Sequence, residues 1–298
     1  MKYSELISTI IKFSINGELI NTKDSILFEN IKPSDLGMSG NLTRRILNNI
    51  CSGTNISYME VGLASGSTFS SAIFENGKET NSFLGFDTFT GTNNKVENIE
   101  TRNEIKEKFY NNLEKFDTIK KSKVKIIEDN FFNVNLKELF EKEGLNKINV
   151  YFYDADHTQN STYHSIIHAY DVLEDIFLYI VDDWNDSNVR TGCFKSISEA
   201  GLNIHYYHPL HCDAGDTLYK DIKEKTLKYE DIDPISDFGN YKTFYNGIGV
   251  FVLSKNPISL FEIVKSKTLY DSSLNKESQE SLFSESTYNK NEIKWKVK

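Results

Sequence analysis

Seven short apolar runs recur between residues 56 and 254, mostly separated by amphipathic stretches, and this alternation leaves the chain few folds to choose from. The runs are ISYMEVG (56–62), SFLGFD (82–87), VKIIED (124–129), INVYFYDAD (148–156), IFLYIVDD (176–183), LNIHYYH (202–208) and GIGVFVLS (247–254). They are rich in β-branched and aromatic residues with weak polar alternation, the pattern of strands covered on both faces. Helical candidates lie between them at 66–76, 98–118, 135–143, 159–174 and 192–200. Strand–helix alternation of this kind predicts an α/β fold, with right-handed crossovers and a mainly parallel sheet between helices.

The length of 298 residues would permit two domains, yet α/β folds often use this much chain in one. The expected division is an N-terminal helical region over 1–50, a main domain over 51–264 and a polar tail over 265–298. In SGNLTRRILNNI (39–50), Leu42, Ile46, Leu47 and Ile50 have helical spacing after Ser/Asn capping candidates. That helix would pack on the sheet or close over a site. The tail is rich in Ser, Asn, Lys and Glu and reads as loosely held or as a helix needing a partner. A net charge of -9 with no Lys/Arg stripe argues against a nucleic-acid partner, whose phosphates demand a basic face. Cys51, Cys193 and Cys212 are far apart and odd in number, as idle thiols in a reducing compartment would be. The N-terminal stretch does not read as a signal peptide and no run is long enough to span a membrane, so a cytoplasmic location is expected. A homo-oligomer is compatible with the sequence.

Ligands of open α/β sheets collect at the carboxyl ends of the strands. Here those ends carry acids: Glu60, Asp87, Glu128 with Asp129, Asp154 with Asp156, and Asp182 with Asp183. One such Asp alone would be a helix cap; the recurrence calls for more. The first strand runs into EVGLASGST (60–68), where Gly62 and Gly66 form a G-x-x-x-G turn and Ser67 and Thr68 open the next helix. The turn suits either close approach of a ligand or tight packing. It is not the G-x-G-x-x-G dinucleotide fingerprint, so a nicotinamide dehydrogenase ranks low. Asp87, in FDTFTG (86–91), could accept ribose hydroxyls or cap a turn with Thr88. Loop and carboxylate together suggest an adenosine-containing ligand. Asp129 could then receive the adenine amino group, with Phe131 or Phe132 over the ring unless they belong to the core.

EVGLASGST, FDTFTG, YDADH (153–157), VDDW (181–184) and YNGIGVFVL (245–253) together resemble class I S-adenosylmethionine (SAM)-dependent methyltransferases. The nearest resemblance is to the small-molecule O-methyltransferases that include the macrocin O-methyltransferase group, over about residues 56–255. It implies a Rossmann-like, seven-stranded, mainly parallel sheet whose last strand, GIGVFVL, is antiparallel. Glu60, Gly62, Asp87 and Asp129 match SAM-contacting positions. The cofactor expectation extends along the same segments to Leu63, Ala64, Ser67, Thr68, Thr88, Asn130 and Asp154.

Asp154, Asp182 and Asp183 match metal-binding positions of the metal-dependent relatives. Three hard oxygen ligands suit Mg²⁺, although Asp182 and Asp183 could simply end a strand and cap a loop. His157 matches the position of a general base, and an imidazole can accept a proton at neutral pH; a lone histidine there is otherwise a packed or capping residue. His164 and His168, four apart on the next helix, have chelating spacing but no third ligand, so packing is the better reading. His205, His208, His211 and Cys212 form a dense cluster, and the loop HPLHCDAGD (208–216) is assigned to the site rim or to substrate.

The expected function is transfer of a methyl group to a hydroxyl of a small molecule, a sugar or glycoside, with Mg²⁺ and His157. The alternatives are a metal-independent N- or O-methyltransferase and an inactive SAM- or nucleotide-binding module.

Overall fold

Every one of the apolar runs becomes a strand of a single sheet. The computed structural model describes residue 39 and residues 41–90, 99–210 and 246–258. The strands are β1 (Ser57–Val61), β2 (Ser82–Phe86), β3 (Lys123–Ile127), β4 (Ile148–Tyr153), β5 (Leu173–Val181), β6 (Asn203–Leu210) and β7 (Ile248–Ser254). The helices are α1 (Asn41–Cys51), α2 (Ser67–Ile73), α3 (Ile99–Phe116), α4 (Leu136–Glu143), α5 (Gln159–Ala169) and α6 (Ser187–Glu199).

The strand order is β3-β2-β1-β4-β5-β7-β6. β1 to β5 pair in parallel, and β7 runs antiparallel to both β5 and β6. The Rossmann-like sheet with a reversed last strand is therefore present as the resemblance implied. Strand order reverses between β1 and β4, and such a switch point opens a crevice at the strands' carboxyl ends.

Alternate residues of each strand enter opposite layers, because successive side chains point to opposite faces. On one face Val150, Phe152, Leu178 and Ile180 pack with Ile46 and Leu47 of α1, Phe69 of α2 and Phe109 of α3. On the other, Tyr151, Tyr153, Tyr179 and Val181 pack with Phe140 of α4, Ile166 of α5 and Val189 of α6. β1, β4 and β7 are buried along their whole length, whereas the edge strands β3 and β6 are only half-buried. Coverage of both faces thus holds at the centre of the sheet and fails at its edges.

Of the two placements open to the N-terminal helix, α1 takes the one on the sheet layer. Asn48 Nδ2 donates to the Ser71 and Phe74 carbonyls at 2.7 and 2.8 Å, fastening α1 to α2. Two helix boundaries lie about five residues from expectation, further than the others. α6 starts at Ser187 rather than 192 because the Asp186 side chain caps it by accepting the Asn188 N–H. α5 gives way after Ala169 to a 3₁₀ turn over Tyr170–Val172, since Leu173 already belongs to β5. No described helix is long and apolar enough to cross a membrane. Residues 1–38, most of the 205–245 segment and the 265–298 tail lie outside the described residues.

Candidate active site

The register of the parallel strands sets their last residues in one row. Ile127, Phe86, Val61, Tyr153 and Val181 are paired across the sheet. The next residues continue the ladder: Asp87 N–H donates to Ile127 O, Gly62 to Phe86 O, Asp154 to Val61 O and Asp182 to Tyr153 O, at 2.8 to 3.1 Å. Asp87, Gly62, Asp154 and Asp182 therefore stand side by side at interstrand spacing, about 4.8 Å from one strand to the next.

The only member of this row without a side chain sits at the switch point. Gly62 has φ +94°, and a Cβ there would overlap the Asp154 carbonyl. The close approach that requires this glycine is thus made by β4 itself. Gly66, at φ +80°, is likewise crowded by the Phe109 ring. Both glycines have reasons within the protein's own packing.

Asp87 is turned into the glycine turn. Its Oδ2 accepts the Leu63 and Ala64 N–H groups at 2.6 and 2.7 Å, and its Oδ1 accepts the Phe89 N–H at 2.6 Å. Ala64 and Phe89 are held at φ 43° and 50°, in the left-handed region that non-glycine residues rarely enter. Thr88 bonds the Thr90 hydroxyl. One carboxylate thus fastens the end of β2 to the turn after β1.

Glu60 is deeper. It is fully buried, and its carboxyl accepts the hydroxyls of Tyr58 and Thr68. Burial pushes its pKa up to about 8, so it is mostly protonated at neutral pH. Thr68 is directed inward to Glu60, and buried Ser67 shares a hydrogen bond with Ser39 at 2.6 Å. Beyond β3, Asp129 and Asn130 are exposed; Asn130 Oδ1 caps the 3₁₀ turn Phe131–Asn133 by accepting the Phe132 N–H. Phe131 is buried among core aromatics, against Phe86.

On the other side of Gly62 the acids crowd one another. Burial together with the neighbouring carboxylates raises the pKa values of Asp154 and Asp182. Oδ1 of Asp182 is buried with no hydrogen-bond partner. Asp183, at φ 54° and nearly buried, is turned elsewhere. Its Oδ2 meets His157 Nδ1 at 2.5 Å and its Oδ1 accepts Asn246 Nδ2 at 2.5 Å. Burial works to lower the His157 pKa, but the bond and charge of Asp183 outweigh it and the net shift is upward. For Asp183 burial is likewise overcome, by His157, and its pKa falls. Among the described residues no group of three or more His, Cys, Asp and Glu side chains could hold a metal ion as it stands.

No protein-family model matches the chain. No curated protein matches it either. Solved structures do. An O-methyltransferase from Bacillus cereus, in complex with SAH, is 11% identical over 84% of this chain and 100% of its own, with a TM-score of 0.44. The TDP-rhamnose 3'-O-methyltransferase of calicheamicin biosynthesis is 13% identical over 66% of this chain and 87% of its own, at 0.41. The O-methyltransferase TomG from Streptomyces achromogenes, in complex with SAM, is 10% identical over 85% of this chain and 99% of its own, at 0.42. Likeness this distant decides nothing about chemistry, which rests on the row of strand ends.

The remaining histidines serve packing where they are described. His164 and His168 lie edge-on to Phe132, and His168 also to Phe131. His205 Nε2 bonds Ser254 Oγ at 2.6 Å on the β6–β7 pair. Cys51 and Cys193 are free and buried; His211 and Cys212 lie outside the described residues. Asn246 was missed as a site residue. Its signal in the sequence was an Asn-Gly step just ahead of the last strand.

Proposed function

We propose that this chain is a SAM-dependent methyltransferase acting on a hydroxyl of a small molecule, with a sugar or glycoside as the acceptor class. The observation that carries this reading is the single row of strand ends. On one side of Gly62 it holds a carboxylate fastened to a glycine turn; on the other, a carboxylate pair beside an aspartate-held histidine.

Asp87 would receive the ribose. Three backbone donors take three of its roughly four acceptor sites, so one ribose hydroxyl fits the fourth and a second would displace a loop N–H. Asp129 and Asn130 would meet the adenine, and Leu63 and Ala64 would line the turn beneath the nucleoside. Glu60 and Thr68 would shape the pocket wall from behind rather than touch the ligand. Bound SAM would supply a methyl group already activated for transfer.

His157 is the general base of this reading. Its Nδ1 is held by Asp183, which leaves Nε2 to accept the proton of the acceptor hydroxyl as the new C–O bond forms. The ring is about half exposed, so a small molecule can reach it.

The fit to Mg²⁺ is met by two of the three expected ligands. Asp154 and Asp182 present crowded carboxylates, one with an unpartnered oxygen, and Mg²⁺ is commonly held by one or two carboxylates plus waters. Asp183 is committed to His157 and Asn246. A bound Mg²⁺ would make the acceptor hydroxyl more acidic and orient it. A metal-independent form of the same reaction is favoured by one observation, the engagement of both Asp183 oxygens within the protein.

Calorimetric titration with SAM and SAH, followed by methyl-transfer assays on vicinal-diol sugars with and without a chelator, tests the reading. Saturable SAM binding and chelator-sensitive turnover are expected. Failure to bind either cofactor form would end the proposal, and turnover indifferent to chelation would remove the cation alone.

A further inference from the structure

We infer that Asn246 is a positioning residue for the base: it fixes Asp183 so that Asp183 holds His157 by Nδ1 and leaves Nε2 to the acceptor. The inference rests on His157 as the base of the proposed function.

The three side chains form a line. Asn246 Nδ2 donates to one Asp183 oxygen, and the other oxygen meets His157 Nδ1, both at 2.5 Å. The backbone holds the first two members in place. Trp184 N–H donates to Gly247 O at 3.0 Å and Asn185 N–H to Asn246 O at 2.9 Å, so the segment entering β7 is stitched to the segment leaving β5. Asp183 and Asn246 both adopt left-handed backbone, at φ 54° and 39°. Asn and Asp tolerate that conformation better than most residues, and strain of this kind persists only where the surroundings enforce it. Trp184 locks the junction: it is fully buried, its Nε1 donates to Tyr207 OH at 2.9 Å, and its carbonyl accepts Arg190 Nη1 at 2.6 Å.

Without the Asn246 amide, the Asp183 side chain could turn about its Cα–Cβ bond away from His157. The amide donor therefore keeps Asp183 on His157. Which ring nitrogen carries the proton is set by the hydrogen bond the other makes, so releasing Asp183 also releases the choice of imidazole tautomer. Outer partners that orient metal-bound histidines change affinity or activity by roughly 10- to 100-fold when removed, and a loss of that order is expected here.

The test uses the 298-residue chain with ¹⁵N-labelled histidine, held in chelator, and reads the ring tautomers by long-range ¹H–¹⁵N correlation. The His157 signals are assigned by their loss in His157→Gln. Asn246→Asp keeps size and left-handed tolerance without the donor, and Asn246→Gly removes the side chain and the backbone strain. A neutral Nδ1–H tautomer of His157 is expected in the parent chain. In either folded variant it should give way to a mixture including Nε2–H, with kcat down roughly 10- to 100-fold and SAM affinity unchanged. Persistence of the Nδ1–H tautomer in both variants, or its absence from the parent, overturns the inference. The tautomer is read without cofactor or acceptor, so failure of the methyl-transfer reading would not be mistaken for failure here.

Discussion

The two halves of the strand-end row use their carboxylates in opposite ways. At β2, Asp87 accepts three backbone N–H groups and ties together two turns that hold strained residues. At β4 and β5, burial and neighbouring acids raise the pKa values of Asp154 and Asp182, and one buried oxygen is left unpartnered. The first half is completed by the chain itself. The second crowds acids together and leaves one buried oxygen without a partner, the condition in which a cation or a polar substrate gains most by binding. Stability is concentrated on one side of Gly62, and unmet binding capacity on the other.

This contrast can be broken or sharpened by substitution, and the largest effect belongs to the unsatisfied half. His157→Ala should lower kcat by roughly 10²- to 10⁴-fold, the usual contribution of a general base, while SAM affinity by calorimetry stays near that of the parent. A matching loss of SAM affinity would refute its role as base. Asp182→Asn should lower turnover by roughly 10²- to 10³-fold, the size of loss that removal of a preorganised polar group causes elsewhere. The same change relieves repulsion, so the melting temperature of the ligand-free protein should hold or rise. A stable, active variant would show that the crowded carboxylates are not catalytic.

The self-satisfied half should answer in stability first. Asp87→Asn turns an amide N–H₂ toward backbone donors and leaves at least one N–H unpaired, at a cost of about 1–3 kcal/mol. Urea unfolding should register that loss together with weaker SAM binding. If the Asp87→Asn variant proved as stable as the parent, the carboxylate would not be what holds the turn.

Glu60 gives the smallest change in activity and a distinctive pH signature. Its folded pKa of about 8 lies above its ordinary value of 4.5, so the folded chain keeps a proton that the unfolded chain has released between those values. Its contribution to stability is complete below about pH 4.5 and is lost as pH rises through about 8. Glu60→Gln should abolish that slope, flattening the ligand-free melting temperature between pH 5 and 8 relative to the parent. An unchanged slope in the Gln variant would place the titration elsewhere.

Much of this site could be read in the sequence because strand ends are local features. An apolar run closing on Asp at 87, 154 and 182 marks a carboxylate at a strand tip, and a parallel sheet brings successive tips to one edge. The directions of the side chains could not be read in the same way. Thr68, expected as a cofactor contact where the next helix opens, is turned inward to Glu60; Asn130, expected as a cofactor contact, also caps a 3₁₀ turn. Each outcome depends on which partner the fold brings within reach, and no spacing in the sequence records that.

By itself the sequence determined the alternation of strands and helices, the seven runs that make the sheet, and the presence of acids at their ends. Those follow from periodicity and residue type, which act over a few residues. Tertiary structure alone decided that β4 presses on Gly62, that Asp183 serves His157, and that Asn246, 63 residues further along the chain, holds it there. These contacts exist because register and reversed strand order bring distant segments within hydrogen-bonding distance, and that is a property of the assembled sheet.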